Sequence, residues 1–293
     1  FEVDSLAVGK MHKVISRRTF FTGKAMNVAT GLSRLGAHAV ASGFMFEENG
    51  RLYEQEMHKE GVTYKFVWNK GRVKEVYNFV DRRSMLTEVV SDATPIGSDN
   101  AKQLIETVAD LSKNCNAVVF SGELSDGLPE DYMHQALSVV PPHVLKVIDT
   151  DGYRLANLID CGLDLVKPNM EELYHATGIK ITDRDSMIRA CENLLERGVK
   201  RVLLSLGKHG AVICDGKQRL FCMSLNVAMN STAGAGDAMV AAATKALSEG
   251  AELSEILRCG VAAGTASVTL PDSISFLKDK YDEVLQMLTV KEI

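Results

Sequence analysis

From about Asp99 onward the chain alternates helix-patterned stretches with short apolar β-prone runs, and few architectures accept that pattern. Helical spacing over 101–113 precedes the run 117–120, 129–137 precedes 144–148, and 153–158 precedes 163–166. Two further helical stretches, 170–177 and 184–197, precede 201–205. Runs this apolar fit strands buried on both faces, and helical crossovers join such strands in parallel with helices above and below. The expected class is α/β: a mainly parallel central sheet between two helical layers. Residues 211–214 and 219–222 flank Asp215-Gly216 and read as a hairpin with a tight turn. Helical patterns over 237–249, 253–268 and 277–288 close the chain.

The first ninety or so residues have a different texture. Residues 13–16 and 19–21 are β-prone, and a helix is expected after Thr22-Gly23-Lys24-Ala25-Met26-Asn27, stopping at Gly36. A strand over 40–44 and a helix over 52–60 follow. Then 62–67, 76–80 and 85–90 read as extended runs around the turn 81–84, with no helix between them. That spacing predicts an antiparallel sheet set apart from the rest. The resulting division is a core of 22–61 and 92–293 and a β-sheet lid of 1–21 and 62–91.

Composition narrows the partners. A net charge of −5 over 293 residues argues against a nucleic-acid partner. No apolar run approaches the roughly 18 residues that a membrane span needs, so no membrane role is expected. The six cysteines are scattered without a C-x-x-C pair, which predicts reduced thiols and a cytoplasmic protein. The seven histidines form no H-x-x-x-H or H-E-x-x-H zinc pattern.

In open parallel sheets a ligand lies beyond the carboxyl ends of the strands, and polar stretches fall at those ends here. They are Ser121-Gly122-Glu123, Asp149-Thr150-Asp151-Gly152, Lys167-Pro168-Asn169-Met170-Glu171-Glu172 and Ser205-Leu206-Gly207-Lys208-His209-Gly210. Ser231-Thr232-Ala233-Gly234-Ala235-Gly236-Asp237 opens an Ala-rich helix. A glycine turn at a helix start presents unsatisfied N–H donors at the positive end of the dipole, which favours phosphate. Asp237 stands beside that anion site, placed to take a proton from an attacking hydroxyl. The same pattern also serves as a plain helix start with an acidic first turn. Asn169 and Glu172 suit Mg²⁺, or equally a capping Asn with its partner Glu. Gly207 and Gly210 bracket a turn that also joins a strand to the hairpin.

With these residues placed, the chain resembles the ribokinase-like carbohydrate kinases, in their phosphofructokinase B branch. Thr232-Ala-Gly-Ala-Gly-Asp237 is similar to the family's C-terminal signature, and the resemblance implies Asp237 as catalytic base with Gly234, Ala235 and Gly236 as anion hole. Thr22-Gly-Lys-Ala-Met-Asn27 resembles the sugar-binding G-G-K-G-x-N stretch, implying roles for Gly23, Lys24 and Asn27. Lys167-Pro-Asn-Met-Glu-Glu172 resembles K-P-N-x-x-E, whose Asn and Glu govern Mg²⁺ and phosphate placement; here these are Asn169 and Glu172. Ser205, Gly207 and Gly210 resemble a nucleotide-side loop, with Lys167 and Thr232 also assigned to the nucleotide. The 1-phosphofructokinase and tagatose-6-phosphate kinase subgroup is the nearest likeness, carried by 149–152 and Thr87-Glu88.

Departures fall on the sugar side. Thr22 and Ala25 replace family glycines, Ser121-Gly-Glu-Leu-Ser125 replaces S-G-S-L-P, and the lid's T-R-x-N stands as Val73-Lys74-Glu75-Val76, with Arg72 adjacent. Lys24, Arg72 and Lys74 are therefore the candidate lid-side cations for a sugar phosphate. The family's opening strand, with its sugar-binding Asp, has no counterpart here, so a segment before Phe1 is expected. The resemblance implies a ribokinase-like three-layer α/β/α sandwich, ATP and Mg²⁺ as cofactors, a sugar phosphate as substrate, and a homodimer formed through the lid. A kinase of a free sugar or nucleoside, or a catalytically weak sugar-binding regulator, remains open.

Overall fold

The computed structural model describes residues 1–83, 85–271 and 275–293; Ser84, from the turn expected at 81–84, lies outside the described residues. The first part of the chain runs β1 (Glu2–Val3), β2 (Val14–Ser16), α1 (Lys24–Arg34), β3 (Val40–Phe46), α2 (Gly50–Lys59), β4 (Thr63–Asn69), β5 (Val76–Val80) and β6 (Leu86–Val90). Next come α3 (Ser98–Ser112), β7 (Ala117–Ser121), α4 (Tyr132–Ser138), β8 (Leu145–Asp149), α5 (Gly152–Leu158), β9 (Leu165–Val166), α6 (Met170–Thr177) and α7 (Arg184–Glu196). The chain ends with β10 (Val202–Ser205), β11 (Ala211–Cys214), β12 (Arg219–Cys222), α8 (Ala235–Ser248), α9 (Leu253–Ser267), α10 (Lys278–Met287) and β13 (Val290–Glu292).

Seven strands form the central sheet, in the order β13-β12-β11-β10-β9-β8-β7. Strands β7 to β10 are parallel, as the alternating pattern requires. The pairings from β10 through β13 are antiparallel, so the sheet is mixed. Period-two alternation sends neighbouring side chains into opposite layers. Leu203, Ala211 and Ile213 face α8 and α9 in one core, while Val202, Leu204, Val212 and Cys214 face Leu155, Leu173 and Leu194 of α5, α6 and α7 in the other. Each large apolar side chain buried this way contributes roughly 1.5–3 kcal/mol.

The helix that carries the glycine turn is held on all sides. Small residues let its neighbours approach: a Cβ on Gly31 of α1 would lie 2.7 Å from Ala241, and one on Gly264 of α9 would lie 3.4 Å from the Ala235 carbonyl. The entrance to α8 is thereby fixed beside the ends of the parallel strands.

Three details differ from the sequence reading. Residues 19–21 form no strand; Phe21 instead packs edge-on against Tyr53 of α2, ring centroids 5.5 Å apart. The edge strand β13 was not anticipated; it pairs with β12, and two of its three residues are charged. β4, grouped with the lid from sequence, pairs in parallel with β3 along its whole length. The separate four-stranded sheet has the order β2-β1-β5-β6.

Candidate active site

Five segments converge at the carboxyl ends of the parallel strands. α8 begins at Gly234, whose φ of 79° is left-handed backbone that glycine adopts freely. Among the described residues, the N–H groups of Gly236 and Asp237 meet no acceptor, leaving two donors at the helix's positive end. A Cβ on Gly236 would lie 3.3 Å from Lys167 Nζ, so the lysine ammonium sits over the same turn. This arrangement suits a multiply charged anion.

Asp237 is 5% exposed, and its Oδ2 accepts a 2.7 Å hydrogen bond from Asn27 Nδ2 of α1. Thr22 Oγ1 donates in turn to Asn27 Oδ1, fixing the amide's orientation. Burial pushes the Asp237 carboxyl up; the Asn27 hydrogen bond opposes this, Asp149 adds to it, and Lys24 and Lys167 oppose it, with a net rise. A carboxylate that is buried, oriented and more basic than usual is a good proton acceptor.

Asp149, at the end of β8, is buried between two lysines. Lys167 Nζ lies 3.2 Å from its Oδ1 and Lys24 Nζ lies 3.6 Å from its Oδ2. Burial alone would depress the Lys24 ammonium, but the negative charges of Asp149, Asp237 and Glu172 outweigh it and raise its pKa. The Lys24 ammonium therefore stays charged beside the anion turn.

Asn169 and Glu172 form a capping box at the start of α6. Asn169 Oδ1 accepts the N–H groups of Glu171 and Glu172 at 2.9 Å each, and Glu172 Oε2 accepts the Asn169 N–H at 2.8 Å. The other Glu172 oxygen has no hydrogen-bond partner among the described residues. Ser205 ends β10 against Pro168, its N–H 3.0 Å from that carbonyl. Gly207 and Gly210 take φ of 57° and 94°, and a Cβ on Gly210 would fall 2.0 Å from the Cys222 carbonyl. Gly210 is thus demanded by the hairpin's own packing. Thr232 is exposed just before the turn.

A model of pfkB family carbohydrate kinases matches residues 2–280. The chain belongs to that family. This kinase is 30% identical over 252 residues to the ATP-dependent 6-phosphofructokinase isozyme 2 of Escherichia coli, covering 84% of its own chain and 80% of that one. It is 28% identical to the 1-phosphofructokinase of Borreliella burgdorferi, covering 88% and 83% respectively. The solved Escherichia coli phosphofructokinase-2 in complex with substrates and products superposes with a TM-score of 0.91 at 26% identity, covering 98% of this kinase and 94% of that chain.

Arg72 and Lys74, between β4 and β5, have different surroundings. Lys74 Nζ lies 3.5 Å from Glu123 Oε2, two residues past the end of β7. Gly122, the neighbour of Glu123, would place a Cβ 3.8 Å from that of Lys24. Lys74 therefore hangs over the crevice rim. Arg72 turns instead onto Glu75, at 3.0 Å, and Glu48, at 3.8 Å.

One member of the cluster around Asp237 was not singled out from sequence, and neither was a neighbouring cleft. Asp149 was read only as part of a polar strand end. The segment 225–230 lines a cleft of about 430 Å³ together with Thr269, Lys280, Glu283 and Met287. It lies between the segment that leads to the anion turn and the last helix, an arrangement that emerges only in three dimensions.

Proposed function

We propose that this kinase transfers the γ-phosphoryl group of ATP to a hydroxyl of a ketohexose phosphate, as a 1-phosphofructokinase or tagatose-6-phosphate kinase does. The observation that carries the chemistry is the buried, Asn27-bonded Asp237 beside two unpartnered N–H groups and the Lys167 ammonium. The sugar hydroxyl gives its proton to Asp237 as its oxygen bonds to the γ-phosphorus. The bond from that phosphorus to the β–γ bridging oxygen breaks, and its electrons leave with ADP. Charge on the transferring oxygens faces the N–H groups of Gly236 and Asp237 and the ammonium of Lys167. Gly23, Lys24 and Asn27 meet the sugar. The cleft at 225–230 takes the nucleoside, with Ser205, Gly207, Gly210 and Thr232 on its phosphate side. The names and similarity of the relatives support a sugar phosphate as the substrate.

The donor set fits Mg²⁺ in part. Asn169 Oδ1 is already committed to two N–H groups, whereas Glu172 keeps a free carboxylate oxygen at the same helix entrance. Mg²⁺ retains most of its waters and takes few protein ligands, so Glu172 would hold it and Asn169 would orient Glu172. When bound, the ion neutralises phosphate charge. Glu172→Gln should weaken the Mg²⁺ response severalfold more than it weakens sugar affinity. A Mg²⁺ titration at saturating sugar measures this, and an unchanged curve would leave Glu172 as a cap alone.

We assign the sheet of β1, β2, β5 and β6 as a lid whose closure excludes water. Val76 lies opposite Val90, and Val80 opposite Leu86, so one sheet face carries four aliphatic side chains, each 36–56% exposed. A second copy's lid is the natural cover for such a stripe. Val90→Lys should shift the kinase toward monomer in sedimentation; an unchanged mass at matched concentration counts against a lid dimer. All six cysteines are unpaired, and a reducing cytoplasm suits them.

A coupled ADP-release assay over ketohexose phosphates, free sugars and nucleosides tests the function. The highest kcat/KM should fall on a ketohexose phosphate. Preference for an unphosphorylated acceptor would reassign the substrate, and no turnover on any acceptor would favour a sugar-binding regulator.

A further inference from the structure

Phosphoryl transfer leaves one mixed cluster of ligand atoms unused. His134 lies on α4, while Asp160 and Cys161 occupy the single 3-10 turn Ile159–Cys161 that follows α5. His134 Nε2 is 3.9 Å from Asp160 Oδ1, and Cys161 Sγ is 3.8 Å from the same oxygen. One ligand atom from each of the three residues falls within 4.8 Å of the others. Zinc bonds of about 2.0–2.3 Å imply separations of roughly 3.3–3.8 Å between ligands around a tetrahedron. Two edges of the cluster are therefore already near the length a bound ion would impose.

Donor chemistry narrows the ion. Imidazole, thiolate and carboxylate together suit a borderline-soft cation, whereas Mg²⁺ and Ca²⁺ take oxygen ligands. The backbone under the cluster is firmly placed. Leu137 of α4 and Leu158 and Ile159 beside the turn are at most 3% exposed in one core. Lys146 Nζ donates to the Cys161 carbonyl at 3.1 Å, pinning the turn from below. The ligand-bearing elements need only side-chain rotation to close on an ion.

We propose that His134, Asp160 and Cys161 form a three-ligand site for a zinc-class divalent cation, with a fourth position open to water. The ion would clip α4 to the turn after α5, in a region that the transfer chemistry does not use.

Titration of the full chain with Co²⁺, a spectroscopic stand-in for zinc, tests this. A near-ultraviolet thiolate-to-cobalt charge-transfer band should appear at one ion per chain and vanish on adding Zn²⁺. Carboxylate-bound cobalt elsewhere gives no such band. Cys161→Ser should abolish it, while Cys115→Ser, which alters the other partly exposed thiol, should retain it. His134→Gln should weaken cobalt binding by more than roughly tenfold, since losing even an outer-shell partner costs that much. Kinase activity and circular dichroism report whether each variant is folded. No band in the parent, a band that survives Cys161→Ser, or unchanged affinity in His134→Gln would each overturn the site.

Discussion

Asp237→Asn should lower kcat by roughly 10²–10⁴, the range for loss of a general base, while leaving the KM for sugar largely unchanged. Asparagine keeps the shape and can still accept the hydrogen bond from Asn27, so the geometry of α1 against α8 survives. What disappears is the proton acceptor that the proposed mechanism sets beside the anion turn. The pH profile carries a second signature. Because the carboxyl is raised, chiefly by burial, the acid limb of kcat/KM should lie above the ordinary aspartate value of about 3.9. The stability consequence has the opposite direction from the activity. A carboxyl whose folded pKa exceeds its unfolded one stabilises the fold at low pH, and that contribution is lost as pH rises through the raised value. The parent therefore carries an unfavourable buried charge at neutral pH. Asp237→Asn should melt higher than the parent at pH 7, with the gap closing below the ordinary carboxylate range. Near-normal turnover would move the base elsewhere, and a variant that melts lower at pH 7 would contradict the burial reading of Asp237.

Much of the fold was legible because local signals agreed with tertiary ones. α6 matched its expected span, bounded by the Asn169–Glu172 box and by Gly178 at φ 72°. The β11–β12 hairpin matched too, since Asp215 Oδ1 accepts the N–H groups of Lys217 and Gln218 and locks the turn locally. Where the outcome depended on a distant partner, local pattern failed. β13 exists because the free edge of β12 is available to it, and nothing in Val290-Lys291-Glu292 announces that. β4 opens with alternating exposed and half-buried residues over 63–66, as a lid strand would, yet it turns inward at Val67 and Asn69 and β3 captures it in parallel.

The site divides along the same line. As candidates, Asp237, Gly234 and Gly236 come from a single seven-residue stretch. The contact that orients Asp237, from Asn27, spans 210 residues and has no local signature. Asp149 draws its role from lysines at positions 24 and 167, one on each side. For Asn169 and Glu172, capping and metal placement had been set against each other. The structure contains the cap, and the cap is what leaves one Glu172 oxygen free.

Lys74→Ala should raise the KM for a ketohexose phosphate by about tenfold to a hundredfold or more, the equivalent of roughly 1.5–3 kcal/mol for one charge-assisted contact. The substrate's own phosphate needs a cation at a fixed distance from the reacting hydroxyl, and three side chains compete for that part. Lys24 is held 3.6 Å from the buried Asp149, so recruiting it to that phosphate means drawing it away from this carboxylate. Arg72 is engaged by Glu75 and Glu48, so recruiting it means breaking two ion pairs. Among the described residues, Lys74 pairs only with Glu123, at 3.5 Å, and both side chains are well exposed. An exposed pair of that kind is worth at most about 1 kcal/mol, less than a phosphate dianion offers in exchange. Arg72→Ala should therefore change KM little. Free fructose should be a poor substrate for the parent and indifferent to either change, because it carries no phosphate to lose. A KM effect confined to Arg72→Ala would exchange the two roles. If alanine at Lys24, Arg72 and Lys74 in turn leaves sugar-phosphate binding intact, the substrate is an unphosphorylated acceptor.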